Sequence, residues 1–115
     1  MPYIDIKITR KLDGQEIDRI KAKMGELITI IPGKNEAGLM IGIDDGYTIC
    51  LAGEKKESAA YIMVQLYKSS EFEFEAKFTE KVFDFFEGEL GIPKNCLYLN
   101  IGERQCWGSR GALKK

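Results

Sequence analysis

The amino-acid sequence predicts an α/β protein made of two tandem β-α-β units, which form a four-stranded mixed sheet with both helices on one face. Two observations carry this prediction: apolar residues alternate in strands and recur at helical spacing between them, and the same order of patterns appears twice. The chain has 115 residues, the length of one domain, so we expect a single domain over 1–115 with pseudo-repeats at 1–51 and 58–108. Each unit is expected to be a right-handed crossover between parallel strands.

The first unit opens with a strand over residues 3–9, where isoleucine at every second position gives one apolar face. Asp13, followed three residues later by Glu16, is a capping box that predicts the start of a helix. Spacings of three and four give that helix one apolar face. The residues of this face are Ile17, Ile20, Met24, Leu27, Ile28 and Ile31. Pro32-Gly33 ends the helix, and alternation over 39–43 predicts the second strand.

A turn at Asp44-Asp45-Gly46 follows the second strand. Acidic residues before a glycine are typical of tight turns between paired strands. We therefore expect residues 47–51 to form a short strand paired through this turn.

The second unit repeats the plan, with an alternating strand over 60–67 and a second capping-box pattern at Ser70-Glu71-Phe72-Glu73. The core face of its helix is predicted from helical spacing to be Phe72, Ala76, Val82, Phe83, Phe86 and Leu90. Gly91-Ile92-Pro93 ends the helix, and Leu97, Leu99 and Ile101 face one side of the closing strand.

Three further phenylalanines, Phe74, Phe78 and Phe85, lie about half a turn away from that predicted core face. They either contact a partner or pack inside the domain, and the structural role is the favoured interpretation.

The face of the sheet that the helices leave open is predicted to be rich in apolar and aromatic groups. It carries Tyr3, Tyr61, Met63, Tyr67 and Tyr98 among its polar residues. Such a surface is too apolar for open water, so we expect self-association into a closed cyclic oligomer. The alternative is that the aromatic rings pack against one another over a wet face.

Composition excludes several classes of function. Seventeen basic and 18 acidic residues give a net charge of -1, which argues against a nucleic-acid-binding protein. No apolar run is long enough to span a membrane, and the charged first residues do not form a signal peptide. The absence of histidine excludes Ser-His-Asp triads, Cys-His pairs and histidine-bearing zinc sites. Any catalyst must therefore be an amine, a carboxylate, a phenol or a thiol.

Three cysteines, Cys50, Cys96 and Cys106, form no Cys-x-x-Cys pattern. A secreted chain would leave one thiol unpaired, so a reduced cytoplasmic protein is the simplest interpretation. Non-classical secretion stays open as an alternative. No metal site is expected.

Pro2 is the first candidate for chemistry. Initiator methionine is commonly removed before a small residue, which would leave Pro2 with a secondary amine. A free α-amino group titrates near pH 8, and apolar surroundings or neighbouring cations lower its pKa further. Such an amine can act as a general base or as a nucleophile. The alternative is that Met-Pro simply begins a strand.

Met-Pro at the start of the first strand, two tandem β-α-β units and this length resemble the tautomerase superfamily. Within it, the chain is similar to the macrophage migration inhibitory factor (MIF) branch, also called phenylpyruvate tautomerase. The specific matches are Glu89-Leu90-Gly91-Ile92-Pro93 followed by Leu97-Tyr98-Leu99-Asn100, and Gly33-Lys34 five residues before the strand at Leu39. The similarity covers essentially the whole chain.

The resemblance implies a trimeric, cofactor-independent keto–enol tautomerase of small 2-oxo acids such as phenylpyruvate. Pro2 corresponds to the catalytic amino-terminal proline that moves a proton between carbon and oxygen. Lys34 corresponds to the lysine that meets the substrate carboxylate.

The remaining substrate-binding residues implied by the resemblance come from the second unit and the tail. Tyr98 and Asn100 correspond to residues that enter the pocket from the neighbouring subunit. Tyr67 falls at the position whose backbone N–H contacts the substrate, and Trp107 stands in for a tail tryptophan at a different spacing.

Several departures from the family pattern bear on function. Ala59–Ile62 replaces the Cys-Ala-Leu-Cys motif, so thiol–disulfide activity is not expected. Gly38 replaces an aromatic residue, which predicts a more open pocket. A binding or signalling protein with a blocked or vestigial site is the alternative function. Decarboxylation or dehalogenation on the same scaffold is disfavoured, since Arg10 is the only arginine near the end of the first strand.

Overall fold

Two α-helices and eight strands make up the computed structural model, which describes residues 1–115. The elements are β1 (Pro2–Ile8), α1 (Gly14–Leu27), β2 (Met40–Asp44), β3 (Cys50–Leu51), β4 (Glu54–Lys55), β5 (Ala60–Tyr67), α2 (Phe72–Leu90), β6 (Leu97–Arg104), β7 (Trp107–Ser109) and β8 (Ala112–Lys114). Short 3-10 turns lie at Ile28–Ile30, Glu36–Gly38 and Lys94–Cys96.

The main sheet has the strand order β2-β1-β5-β6. β1 runs parallel to β2 and β5 runs parallel to β6, while β1 and β5 pair antiparallel in the centre. Each helix therefore connects two parallel neighbours, as a β-α-β crossover requires. The predicted four-stranded mixed sheet of two β-α-β units is confirmed.

Both helices pack on one face of this sheet, where alternating strand residues form the core. Along β1 every second residue, beginning with Pro2, is buried, and β5 shows the same alternation. Ile4 of β1 and Val64 of β5 lie opposite each other near the centre of the antiparallel pair, and both are fully buried. The core and its apolar strand faces follow the predicted alternation.

α1 begins as predicted, with a capping box at Asp13. The Asp13 carboxylate accepts from the backbone N–H of Glu16 at 2.8 Å, and the Glu16 carboxylate accepts from that of Asp13 at 3.2 Å. Of the predicted buried face, Ile17 is wrong, because 38% of it is exposed. It lies in the first full turn of the helix, beyond the cover of α2 and the sheet.

Val82, Phe86 and Leu90 of the predicted core face of α2 are buried as expected, but the rest of the observed core face is rotated relative to the prediction. Phe72 is 82% exposed and Ala76 is also exposed, whereas Phe78 and Phe85 are buried beside Val82. The structural interpretation of the extra phenylalanines is therefore confirmed for Phe78 and Phe85, while Phe74 is half-buried. All six phenylalanines of the chain lie in α2, so spacing alone does not define which side meets the sheet.

The ends of α2 differ in how well they were predicted. The second capping box is wrong: Glu71 is the N-cap without a side-chain bond, and the N–H of Ser70 donates instead to the Glu103 carboxylate at 3.0 Å. At the other end Gly91 adopts φ 70°, and its N–H donates to the Glu87 carbonyl. This left-handed residue ends the helix at the predicted glycine.

Of the predicted strand at 47–51 only Cys50–Leu51 form a strand, and the predicted pairing through the turn at 44–46 is wrong. The Asp45 carboxylate accepts from the N–H of Leu12, and the N–H of Tyr47 donates to the Ile8 carbonyl. The segment is thereby drawn across the end of β1 instead of folding back on β2. β3 pairs with β4 through a separate turn at residues 52–53.

The chain ends in a second small hairpin, in which β7 pairs antiparallel with β8. Its two turn residues, Arg110 and Gly111, both have positive φ (52° and 84°), as a two-residue hairpin turn requires. The structure contains no helix with the length and apolar character needed to cross a bilayer.

Candidate functional site

A cavity of about 720 Å³ opens at the end of the sheet where β1 begins. Four segments line it: the start of β1, the loop before β2, one residue of β5 and the β7–β8 hairpin. The lining residues are Met1, Pro2, Tyr3, Ala37, Gly38, Met40, Gln65, Trp107, Gly108, Ser109 and Arg110. The set contains no aspartate or glutamate.

Pro2 is buried at the start of β1, opposite Leu66 in the antiparallel ladder. Its nitrogen is an amide while Met1 precedes it, so the amine at this end of the chain belongs to Met1. The pKa of that amine is lowered, first by burial and then by the positive charges of Lys34 and Lys114. This corner of the fold therefore favours a neutral amine.

Lys34 is held close to the same end of the sheet by its contact with Tyr67. Its backbone N–H donates to the Ile31 carbonyl at 3.1 Å, directly after Gly33 at φ 81°. Its ammonium donates to the backbone carbonyl of Tyr67 at 2.6 Å, and burial lowers its pKa. No carboxylate pairs with it. The ion pairs of the chain use other cations, namely Lys7, Arg10, Lys21, Lys23 and Lys94.

Tyr67 and Trp107 join the hairpin to the end of β5. Their ring centroids lie 6.3 Å apart at an interplanar angle of 45°. Because Lys34 bonds the carbonyl of the same Tyr67, the three residues form one continuous group beside Pro2. Pro2, Lys34, Tyr67 and Trp107 are thus brought to one end of the sheet, with Pro2 and Trp107 lining the cavity directly.

Tyr98 and Asn100 are not brought to this cavity within one chain. They lie on the edge strand β6, where Tyr98 is 62% exposed and Asn100 is also exposed. The position on β6 level with Pro2 is Glu103, reached through Leu66. Asn100 therefore lies roughly 10 Å back along β6 and roughly 10 Å across two strands, at about 3.3 Å per residue and 4.8 Å per strand.

Sequence reasoning missed Gln65, Ser109 and Arg110 as lining residues. Gln65 accepts a hydrogen bond from the Arg104 side chain at 2.7 Å, and its amide lies so close to Gly102 that a Cβ there would require the amide to shift. The turn of the hairpin is Arg110-Gly111, which is not one of the dipeptides typical of two-residue hairpin turns, so the sequence carried little signal for it. No group of three or more metal-ligating side chains is present to hold a metal ion.

The structure of this chain is similar to several solved structures, although its sequence matches no known family model. No family model and no curated protein sequence matches the chain. Among solved structures, Leishmania major MIF2 is similar with a TM-score of 0.90 and 23% identity, over 99% of this chain and 97% of that one. A MIF-like protein from Entamoeba histolytica has a TM-score of 0.85 at 16% identity, over 98% of both chains.

The structure is also similar to that of a protein from a dehalogenase family. N1, a member of the cis-3-chloroacrylic acid dehalogenase family, has a TM-score of 0.84 at 14% identity, over 96% of this chain and 82% of that one. The chain therefore has the fold that tautomerase-superfamily proteins share. Within that class the predicted resemblance to the MIF branch is confirmed at the level of the fold.

Proposed function

We propose that this protein is a cofactor-independent keto–enol tautomerase of small 2-oxo acids, with Pro2 as the general base after removal of Met1. The observation that carries the proposal is the amine at the start of β1, which belongs to Met1 here and whose pKa is lowered first by burial and then by Lys34 and Lys114, beside a cavity without acidic residues. Removal of Met1 would transfer the free amine to Pro2 at the same end of β1. A neutral amine near pH 7 is what proton abstraction beside a carbonyl needs.

The proton transfers balance without a co-reactant. In the enol-to-keto direction the Pro2 nitrogen accepts the enol hydroxyl proton while the C2–O bond becomes a carbonyl. The same proton is then delivered from the Pro2 ammonium to C3, and the amine returns to its neutral state. Lys34 binds the substrate carboxylate, and its positive charge, which lowers the pKa of the amine at this end of the chain, favours the neutral form.

A homotrimer is part of the proposal. Tyr98 and Asn100 project from the free edge of β6, too far from Pro2 of their own chain to reach the same ligand. A neighbouring subunit packed against that edge would receive Tyr98 and Asn100 of this chain in its own pocket. The same contact would cover the aromatic open face of the sheet.

The experiment compares three proteins: native, Pro2→Gly, and a variant with alanine inserted between Met1 and Pro2. Each is checked by intact mass for loss of Met1 and by sedimentation for assembly, then assayed for enol-to-keto conversion of phenylpyruvate. We expect full activity only with a free Pro2, partial activity in Pro2→Gly, and none in the insertion variant.

Two results would contradict the proposal. Full activity in protein that retains Met1 excludes an amine of Pro2 as the base. No activity with a free Pro2 in an intact trimer would favour a non-catalytic binding or signalling protein on the same fold.

A further inference from the structure

The β7–β8 hairpin presents one of its faces to the cavity. Trp107 and Ser109 are two residues apart on β7, so their side chains point to the same side, and both line the cavity. Lys114 lies directly opposite Trp107 in the antiparallel pair and therefore shares that face. The effect of Lys114 on the pKa of the chain-end amine agrees with this placement.

Two polar groups on this hairpin have no partner in the protein. The Ser109 hydroxyl is buried and makes no hydrogen bond. Arg110, at the tip of the turn, is exposed, lines the cavity and has no ion pair or hydrogen bond. A buried hydroxyl without a partner is costly, and an unpaired guanidinium beside it is a ready bidentate donor to a carboxylate.

Lys34 is not on this hairpin: its ammonium is held at the end of β5 by the Tyr67 carbonyl, whereas Ser109 and Arg110 line the cavity directly. We propose that Ser109 and Arg110 bind a second anionic group of the ligand, so that the cavity selects 2-oxo dicarboxylates over 2-oxo monocarboxylates. This proposal rests on the proposed function in one respect: Lys34 and Pro2 bind the 2-oxo acid group of the ligand. The Trp107 ring packs along the carbon chain between the two carboxylates.

The first test compares enol–keto conversion of oxaloacetate, a 2-oxo dicarboxylate, with that of phenylpyruvate, a monocarboxylate. Arg110→Asn removes the charge and suits the positive φ of this position. We expect it to raise KM for oxaloacetate about tenfold more than it raises KM for phenylpyruvate. Ser109→Ala raises the same KM about threefold, and Arg110→Lys restores part of the loss.

Arg19→Ala is the matched control, because Arg19 is an exposed arginine without an ion pair on the outer face of α1. It is expected to change neither substrate's KM. An equal rise of KM for both substrates in Arg110→Asn would overturn the selectivity, because it would show a general effect on the cavity.

A second measurement does not depend on catalysis. Calorimetric titration of the native protein with succinate and with butyrate compares a dianion with a monoanion. Neither acid has a 2-oxo group, so neither can be a substrate for keto–enol conversion. We expect succinate to bind about tenfold more tightly, and Arg110→Asn to abolish that difference. Selective succinate binding in a protein inactive on both substrates would retain this second anion site and refute the proposed function. Equal binding of the two acids would overturn the site whatever the activity.

Discussion

Replacing Lys34 with methionine is the substitution that separates binding from chemistry at this site. Methionine keeps the length and apolar stem of the side chain but removes the ammonium that donates to the Tyr67 carbonyl at 2.6 Å. A charge-assisted contact with a substrate carboxylate contributes about 1.5–3 kcal/mol. Lys34 is half-buried, so solvent screening favours the lower end, which corresponds to about a tenfold rise of KM for phenylpyruvate.

A second effect follows from the charge of Lys34 on the chain-end amine. Burial is the larger cause of that amine's lowered pKa, and Lys34 is the next. The neutral amine is the active form, so activity falls as pH drops below its pKa. Without Lys34 that pKa rises towards its ordinary value, and the acid limb of the kcat/KM profile moves to higher pH.

The assay is initial rates with phenylpyruvate from about pH 5 to 9, for native protein, Lys34→Met and Lys34→Arg. The arginine variant keeps the charge and is expected to keep the native pH limb. Lys77→Met is the matched control, since Lys77 is an exposed lysine of α2 without an ion pair. A Lys34→Met protein with native KM and native pH limb would refute both roles and leave Lys34 as a structural cap on the end of β5.

Three further predictions concern assembly and stability. Sedimentation at micromolar concentration should give a species of about three chains. A monomer would contradict the proposed pocket that takes Tyr98 and Asn100 from a neighbouring subunit. Burial and the neighbouring Glu103 carboxylate raise the pKa of Glu75 to about 7, so its contribution to stability is lost as pH rises from about 4.5 through about 7. At pH 8, Glu75→Gln should therefore raise the free energy of unfolding by about 1 kcal/mol after allowing for solvent screening, seen as a higher urea midpoint than that of native protein, and an unchanged midpoint would argue against a raised pKa of Glu75. Phe78→Ala should cost about 3–5 kcal/mol of the free energy of unfolding by leaving a cavity, whereas Phe72→Ala, at an exposed position of the same helix, should cost less than about 0.5 kcal/mol.

The sheet could be predicted from sequence because its signal is local and redundant. Isoleucines alternate through β1, and the residues between Ala60 and Tyr67 do the same in β5, so each strand defines its own buried face. α2 lacked such a signal. Its phenylalanines occur on more than one side, and the contact with α1 and the sheet, not the spacing, buries Phe78 and exposes Phe72.

Of the residues that line the candidate cavity, Pro2 and Trp107 are predicted from the sequence. Pro2 is predicted from its place at the start of a strand, and Lys34 only from the resemblance of Gly33-Lys34 to the tautomerase pattern. Ser109 and Arg110 were not predicted, since their position depends on a hairpin that docks through the Tyr67–Trp107 contact. That contact joins residues 40 positions apart, and no local pattern encodes it.

The antiparallel pairing of β1 with β5 also governs how the chain reaches its native state. The ladder joins partners from Ile8 with Ala60 to Pro2 with Leu66, so more than fifty residues separate each pair in sequence. Closing so long a loop costs entropy before the contact repays it, and folding is slow when such distant contacts dominate. Each β-α-β unit gathers its own parallel strands, but Ile4 and Val64 meet only when the two units dock. We therefore expect the meeting of the two halves at the centre of the sheet to limit the folding rate, and the same event to fix Pro2, which lies at the far end of that ladder.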